Sequence, residues 1–307
     1  MVKDRTKYNL ADLINMDSPE EVMDEVLFIM TLMAPQADHT PLENAFNLTF
    51  SLYRGVWPAE QACNTQFHDL RHITDTVLAM ARLIHGAVIE GSNMDYRHIL
   101  LGLVAALTHD SGYIQDMGDA AGTGAKYTAV HVERSLDFLE RYGQRYGLMH
   151  QEIPACQDIV RCTDLETDIE NLPYTSETIA QLAKLLGVAD LIGQMGDRIY
   201  LEKLFYLFRE FKEGQVGGFE DEMDLLKNTL SFMDAMDRRI KTRLGGLDRL
   251  ALSHFRARWH IPRNLYADAI DKQRRHLKLI LAHPEQEPGD LLRRKQIVKR
   301  CLDAGAT

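Results

Sequence analysis

The chain has 307 residues, 45% hydrophobic and 26% charged. This ordinary globular balance excludes a disordered, collagen-like or disulfide-built chain. Its net charge of −10 is uneven: residues 237–307 carry 17 Lys/Arg against 8 Asp/Glu, or +9, leaving −19 for the rest. An acidic body gives no basis for non-specific binding to nucleic acid.

The best membrane-span candidate, 22–34, is short and carries Asp24 and Glu25, so no membrane partner is expected. The opening Met1-Val-Lys-Asp-Arg-Thr has no apolar signal region, and Cys63, Cys156, Cys162 and Cys301 are irregularly spaced. Reduced structural thiols and a cytoplasmic setting are therefore expected.

The pattern is helical almost throughout. Ser18-Pro19-Glu20-Glu21 is a start signal, with a serine cap, a first-position proline and a glutamate three after the cap. Apolar residues then recur at Val22, Val26, Leu27, Met30 and Met33 until Pro35 ends the run. Further helices are predicted at 41–54, 68–86, 95–108, 125–147, 151–164, 176–194, 197–213, 219–243, 247–258 and 265–282. Glycine- and proline-bearing separators divide them, and no segment alternates as a strand would. The fold class is thus all-α. The residues from 284 on read as a polar, poorly packed tail with one short basic helix.

Histidine placement carries the chemistry. Phe67-His68-Asp69-Leu70-Arg71-His72 sets two histidines four apart, which on a helix share one face. His109-Asp110 directly follows the apolar run Ile99 to Leu107, and Asp190 sits inside Leu185-Leu-Gly-Val-Ala-Asp-Leu-Ile192. Buried imidazole and carboxylate groups are costly unless something compensates them, and a divalent cation does so.

These pieces resemble the HD-domain superfamily of metal-dependent phosphohydrolases over roughly residues 60–215. The family's pattern of a first His, an adjacent His-Asp pair and a distant Asp falls on His72, His109, Asp110 and Asp190. The chain is also similar to the catalytic core of cyclic-nucleotide phosphodiesterases. That family has a proton-donating His four residues before the first ligand, where this chain has His68. Asp158-Ile-Val-Arg-Cys-Thr-Asp164 resembles a family helix as well. The departures are Phe67-His68-Asp69 in place of Tyr-His-Asn, and Tyr113 where the family has His. Gln215-Val-Gly-Gly-Phe219 looks like the purine-binding glutamine motif but follows Asp190 too soon, so cyclic-nucleotide specificity is unsupported. The stretch Gly124 to Ser135 is similar to the helix carrying an additional metal-binding His in binuclear HD proteins, here His131. The Gly-Tyr-Pro signature of cyclic-dinucleotide hydrolases is absent. Unassigned bacterial HD-domain proteins are the nearest likeness.

The resemblance implies a helical bundle in four parts: an N-terminal extension (1–55), a metal-binding core (56–215), completing helices (216–283) and a polar tail (284–307). It implies one or two divalent ions, with Mn, Mg, Fe, Zn and Ni not distinguished. His72, His109, Asp110 and Asp190 would be the ligands, and His131 with a bridging Asp110 would hold a second ion. The expected activity is hydrolysis of a small phosphoester or nucleotide-like substrate by metal-activated water. Asp110 and His68 would be catalytic, His68 protonating the departing oxygen. Two other classes stay open: a metal-bearing but inactive signalling or scaffold module, and a di-iron oxygenase on the same fold. Oligomeric state is open too, a homodimer included. Asp164 reads as a ligand orienter or a helix-end cap. Arg71 and Lys126 read as phosphate contacts or as exposed cations with no specific role.

Overall fold

The computed structural model describes residues 7–283 and 288–305, with side chains to Cys301. Among the described residues there are thirteen α-helices and no strand, only an isolated bridge between Glu60 and Asp116. None of the helices is long and apolar enough to cross a membrane.

The first helix, α1 (Pro19–Met33), starts as its sequence dictates: Ser18 Oγ accepts the Glu21 amide and Pro19 fills the first position. It is followed by α2 (Thr40–Tyr53) and by α3 (Leu70–Ile89), which runs through the middle of the molecule. Every residue of α3 from His72 to Ala87 is buried. Around it pack α1, α4 (Tyr96–Thr108), α7 (Glu177–Gly196) and α10 (Leu250–Trp259). The remaining helices are α5 (His131–Tyr142), α6 (Ile153–Arg161), α8 (Tyr200–Glu213), α9 (Glu222–Thr242), α11 (Leu265–Leu281), α12 (Pro288–Leu291) and α13 (Ile297–Gly305). One buried apolar cluster extends from Val22 to Cys301, so the extension, core and completing helices share a core.

Three expectations need correction. Asp69 caps α3 by accepting the His72 amide at 3.0 Å. His68 therefore lies in the preceding turn, not on a helical face with His72. The stretch 125–147 is not one helix: a 3₁₀ turn, Gly124–Tyr127, precedes α5, which begins at His131 and ends at Tyr142. The tail is not poorly packed where it is described, because Leu292, Ile297, Val298 and Cys301 are buried. Residues 284–287 and 306–307 lie outside the described residues.

Several cations of the basic segment 237–307 are paired internally. Arg258 meets Glu25, Arg274 meets Asp234, Arg243 meets Glu170, and Arg294 meets Glu202. All four cysteines are free thiols, three of them buried, as expected of structural thiols.

Candidate metal centre

Three helices deliver the four residues. His72 sits in the first turn of α3, His109 and Asp110 follow the last turn of α4, and Asp190 lies on α7. The helices must approach closely to bring them together. Gly193, one turn after Asp190, lies against the backbone of Asp75 and Thr76, where an added Cβ would stand 3.3 Å from the Asp75 carbonyl. Gly112 admits α5 in the same way, since a Cβ there would fall 1.9 Å from the His131 carbonyl oxygen.

The side chains converge. His72 Nε2 lies 3.2 Å from His109 Nε2, 3.2 Å from Asp110 Oδ2 and 3.2 Å from Asp190 Oδ1. His109 Nε2 lies 3.4 Å from Asp110 Oδ2 and 3.7 Å from Asp190 Oδ1. His72, His109 and Asp110 form a buried group able to hold a metal ion. Asp110 turns its other oxygen, Oδ1, toward His131 Nε2 at 3.7 Å.

Proton placement shows what this cluster lacks. His109 Nδ1 faces the Ala106 carbonyl at 2.9 Å, and a carbonyl only accepts, so the proton is on Nδ1. His131 is fixed likewise, its Nδ1 donating to the Thr128 carbonyl at 2.7 Å. In their neutral forms both rings therefore turn a bare Nε2 lone pair toward carboxylate oxygens. Asp110 Oδ2, despite its short distances to two imidazoles, has no hydrogen-bond partner and is buried. Lone pairs facing lone pairs repel unless a proton or a metal ion lies between them.

The electrostatics agree. Burial alone would depress His72, but the carboxylates of Asp110 and Asp190 beside it overcome burial and lift the imidazole to about 10. His109 is raised for the same reason. For Asp110 and Asp190, burial opposes ionisation, yet the neighbouring imidazoles hold both carboxyls below their usual range. The site attracts positive charge. Two imidazole nitrogens with carboxylate oxygens suit a borderline or hard divalent metal, and this donor set fits the ion that the sequence implies.

Beside the tetrad lies an arrangement that sequence reasoning missed. His68 Nδ1 is 2.6 Å from Glu210 Oε2, while Glu210 Oε1 accepts the Gln66 and Phe67 amides, both at 2.7 Å. Glu210 on α8 thus pins both the His68 ring and the turn that carries it. Tyr113 lies between two imidazoles, stacked on His68 at 4.4 Å and on His131 at 4.6 Å. Burial, with Asp110 and Glu210 nearby, pushes its phenol well up, so it stays protonated. Lys203, also on α8, donates to the Phe67 carbonyl at 2.8 Å and to Asp69 at 3.1 Å. One signal for Glu210 was available: Lys203 and Glu210 are seven apart and share a helix face beside an apolar stripe.

The open side is defined by exposure. The His72 and His109 side chains are 3% and 1% exposed, whereas His68 is 15% and His131 25% exposed. Asp190 is 15% exposed as well, so the solvent-facing side of the cluster is bordered by His68, His131 and Asp190.

A family model described as Npun_R2479-like matches residues 116–252. The match covers His131, Asp190 and Glu210, but not His72, His109 or Asp110, and it spans less than half of the chain. A search of curated proteins returned no match.

The other residues singled out from sequence are placed elsewhere. Asp164 caps a turn after α6, accepting from the Glu166 amide and from Thr167 Oγ1, and orients no ligand. Arg71 is not a free cation, since it is paired with Asp197 and Asp17, and Lys126 is paired with Asp119. Gln215 lines a cavity at the end of α8 with Phe208, Phe211 and Phe219, and none of the tetrad borders it.

Proposed function

We propose that the protein is a metal-dependent phosphohydrolase acting on a small phosphoester or nucleotide-like substrate. The observation that carries this reading is the convergence of two imidazole nitrogens and two carboxylates beside a carboxylate-pinned histidine. A nucleophile-activating centre and a proton donor in one cleft are what ester hydrolysis needs. The HD-like order of the residues supports the same reading.

His72, His109, Asp110 and Asp190 would hold a divalent ion. The outward-facing Asp110 Oδ1 and His131 Nε2 would help hold a second. When bound, the metal acidifies a coordinated water and offsets charge on the phosphoryl oxygens. The chain's own groups do the rest. Glu210 keeps His68 Nδ1 engaged, so only Nε2 is free to face substrate. As water adds to phosphorus and the ester P–O bond breaks, His68 in its doubly protonated form, with Nδ1–H kept on Glu210, would give its Nε2 proton to the departing oxygen and be left neutral. Tyr113 stacks on His68 and packs against His131, which steadies both rings. The His72 and His109 side chains are buried, so water would approach from the side bordered by His68, His131 and Asp190.

The test is phosphate release from a panel of nucleotides, cyclic nucleotides and simple phosphoesters, using protein loaded with Mn, Mg, Fe, Zn or Ni. Turnover that falls on His68→Ala while metal content is kept is the expected result. Stoichiometric metal without turnover on any substrate would overturn the reading in favour of an inactive metal-bearing module. Oxygen consumption with two irons bound would replace it with an oxygenase.

A further inference from the structure

The first turn of α5 is fastened to the turn that follows the His109-Asp110 pair, and Gly112 is the point of attachment. Its amide donates to Ser135 Oγ at 2.9 Å, and its carbonyl accepts from Arg134 Nε at 2.8 Å. Its Cα faces the His131 carbonyl, where no Cβ would fit. Arg134 Nη2 also donates to the Ile114 carbonyl at 2.9 Å, and its guanidinium lies 3.7 Å from the centre of the Tyr127 ring.

Ser135 is buried, and its hydroxyl donates to the His131 carbonyl at 2.9 Å while it accepts the Gly112 amide. A helical serine often bonds the carbonyl four residues back and nothing more. Here the same oxygen reaches across to a second element. The two peptides it joins belong to Gly112, two residues after Asp110, and to His131 itself. The hydrogen bonds of Ser135 and Arg134 all go to backbone groups, so both side chains act on the cluster through the chain that carries it.

We propose that Ser135 and Arg134 are positioning residues for the second metal ion, holding Asp110 and His131 in the register that lets one ion meet both. This rests on the reading of Asp110 and His131 as ligands of that ion. Metal bonds of about 2.0–2.2 Å leave two donor atoms on one ion roughly 3.0–3.5 Å apart, and Asp110 Oδ1 stands 3.7 Å from His131 Nε2. The two donors come from separate elements, so a slip of α5 by about 1 Å would part them. The first ion takes its ligands from on or beside α3, α4 and α7 and owes nothing to α5. The second has only these two protein groups, one of them 25% exposed. It is therefore the weaker ion and the one more sensitive to the Gly112 junction.

The test is titration of Mn(II) into full-length, metal-free protein, followed by elemental analysis and electron paramagnetic resonance. Two Mn ions sharing the Asp110 carboxylate give an exchange-coupled spectrum, whereas one ion gives an isolated signal. Wild type should bind one ion tightly and a second more weakly, with the coupled spectrum at saturation. Ser135→Ala, which loses only the hydroxyl, should leave the first affinity unchanged and weaken the second by about 10–100-fold. The coupled spectrum should then be missing at Mn concentrations that saturate wild type. Arg134→Met, which keeps an apolar stem and loses both carbonyl bonds, should do the same, and it decides if Ser135→Ala does not fold. A coupled spectrum kept by one folded variant would strike that residue from the role, and kept by both it would overturn the proposal. Equal weakening of both ions would also overturn it, because the two side chains would then only support the fold. Wild type that saturates at one ion would overturn it together with the role of His131, leaving a one-ion hydrolase standing. Wild type that binds no ion would overturn the hydrolase reading as well.

Discussion

The central helix α3 carries a buried histidine near each end, and the two meet opposite fates. At its start, His72 faces His109 among the carboxylates of Asp110 and Asp190. Thirteen residues on, His85 Nδ1 faces His254 Nδ1 at 3.0 Å, where the nearby charges are Arg82 and Arg258. Both pairs are buried, so burial does not distinguish them. The sign of the neighbours does. Carboxylates lift His72 and His109. Burial, reinforced by Arg82 and His85, drives His254 well below its usual value, and burial with Arg258 lowers His85. One layer attracts a cation and the other repels one. A histidine pair in an apolar helix is therefore not a metal site until its carboxylates are counted.

The largest expected effect breaks the first layer. Asp110→Asn removes the charge that both imidazoles face. Metal content by elemental analysis should fall, with affinity down by more than about 100-fold, since even outer partners of a metal cost 10–100-fold. Turnover should vanish with it. Retained metal would mean that Asp110 is not a ligand. His85→Ala, in the other layer, should leave metal content untouched.

His68→Ala comes next, with rate lost by about 10²–10⁴-fold and metal retained. Glu210→Gln should lose no more than that, because it disturbs only the orientation of the same group. If Glu210→Gln also strips metal, Glu210 supports the tetrad rather than His68.

Three of the four tetrad members were legible because they interrupt or end an apolar run, His109-Asp110 after Ile99 to Leu107 and Asp190 between Ala189 and Leu191, whereas His72 stood out by its spacing from His68. An ionisable group at a core position announces itself. Glu210 did not, since α8 mixes charged and apolar residues and burial there depends on which turn packs over it. The position of His68 was misread for a local reason. Asp69 was taken as a helical residue, although an Asp whose carboxylate can reach the amide three residues on is an ordinary N-cap. The break before His131 was hidden because 125–147 holds no proline, and the 3₁₀ turn is set by Thr123, which accepts the Ala125 amide. The order in the tail was visible in outline: Ile297, Val298 and Cys301 have helical spacing, but the high charge around them outweighed it.

The smallest effect sharpens the contrast through pH. His254 is neutral in the fold because its value is depressed, whereas in the unfolded chain it titrates near the ordinary 6.5. The unfolded state then binds more protons as pH falls below that value, so stability present at neutral pH is lost on acidification. The loss should be about 1.4 kcal/mol per pH unit below roughly 6.5 until the folded imidazole itself protonates. In metal-free protein His72 and His109, raised by their carboxylates, contribute with the opposite sign, their stabilisation being full below about 6.5 and lost only as pH rises toward the folded values. Denaturant unfolding of the metal-free protein at pH 6.0, 5.5 and 5.0 should show the decline. His254→Phe should reduce the slope and leave the part that comes from His85, itself lowered by burial and Arg258. An equal slope in wild type and variant would show that the acid sensitivity arises elsewhere, and that the Arg82–Arg258 layer does not exclude the proton.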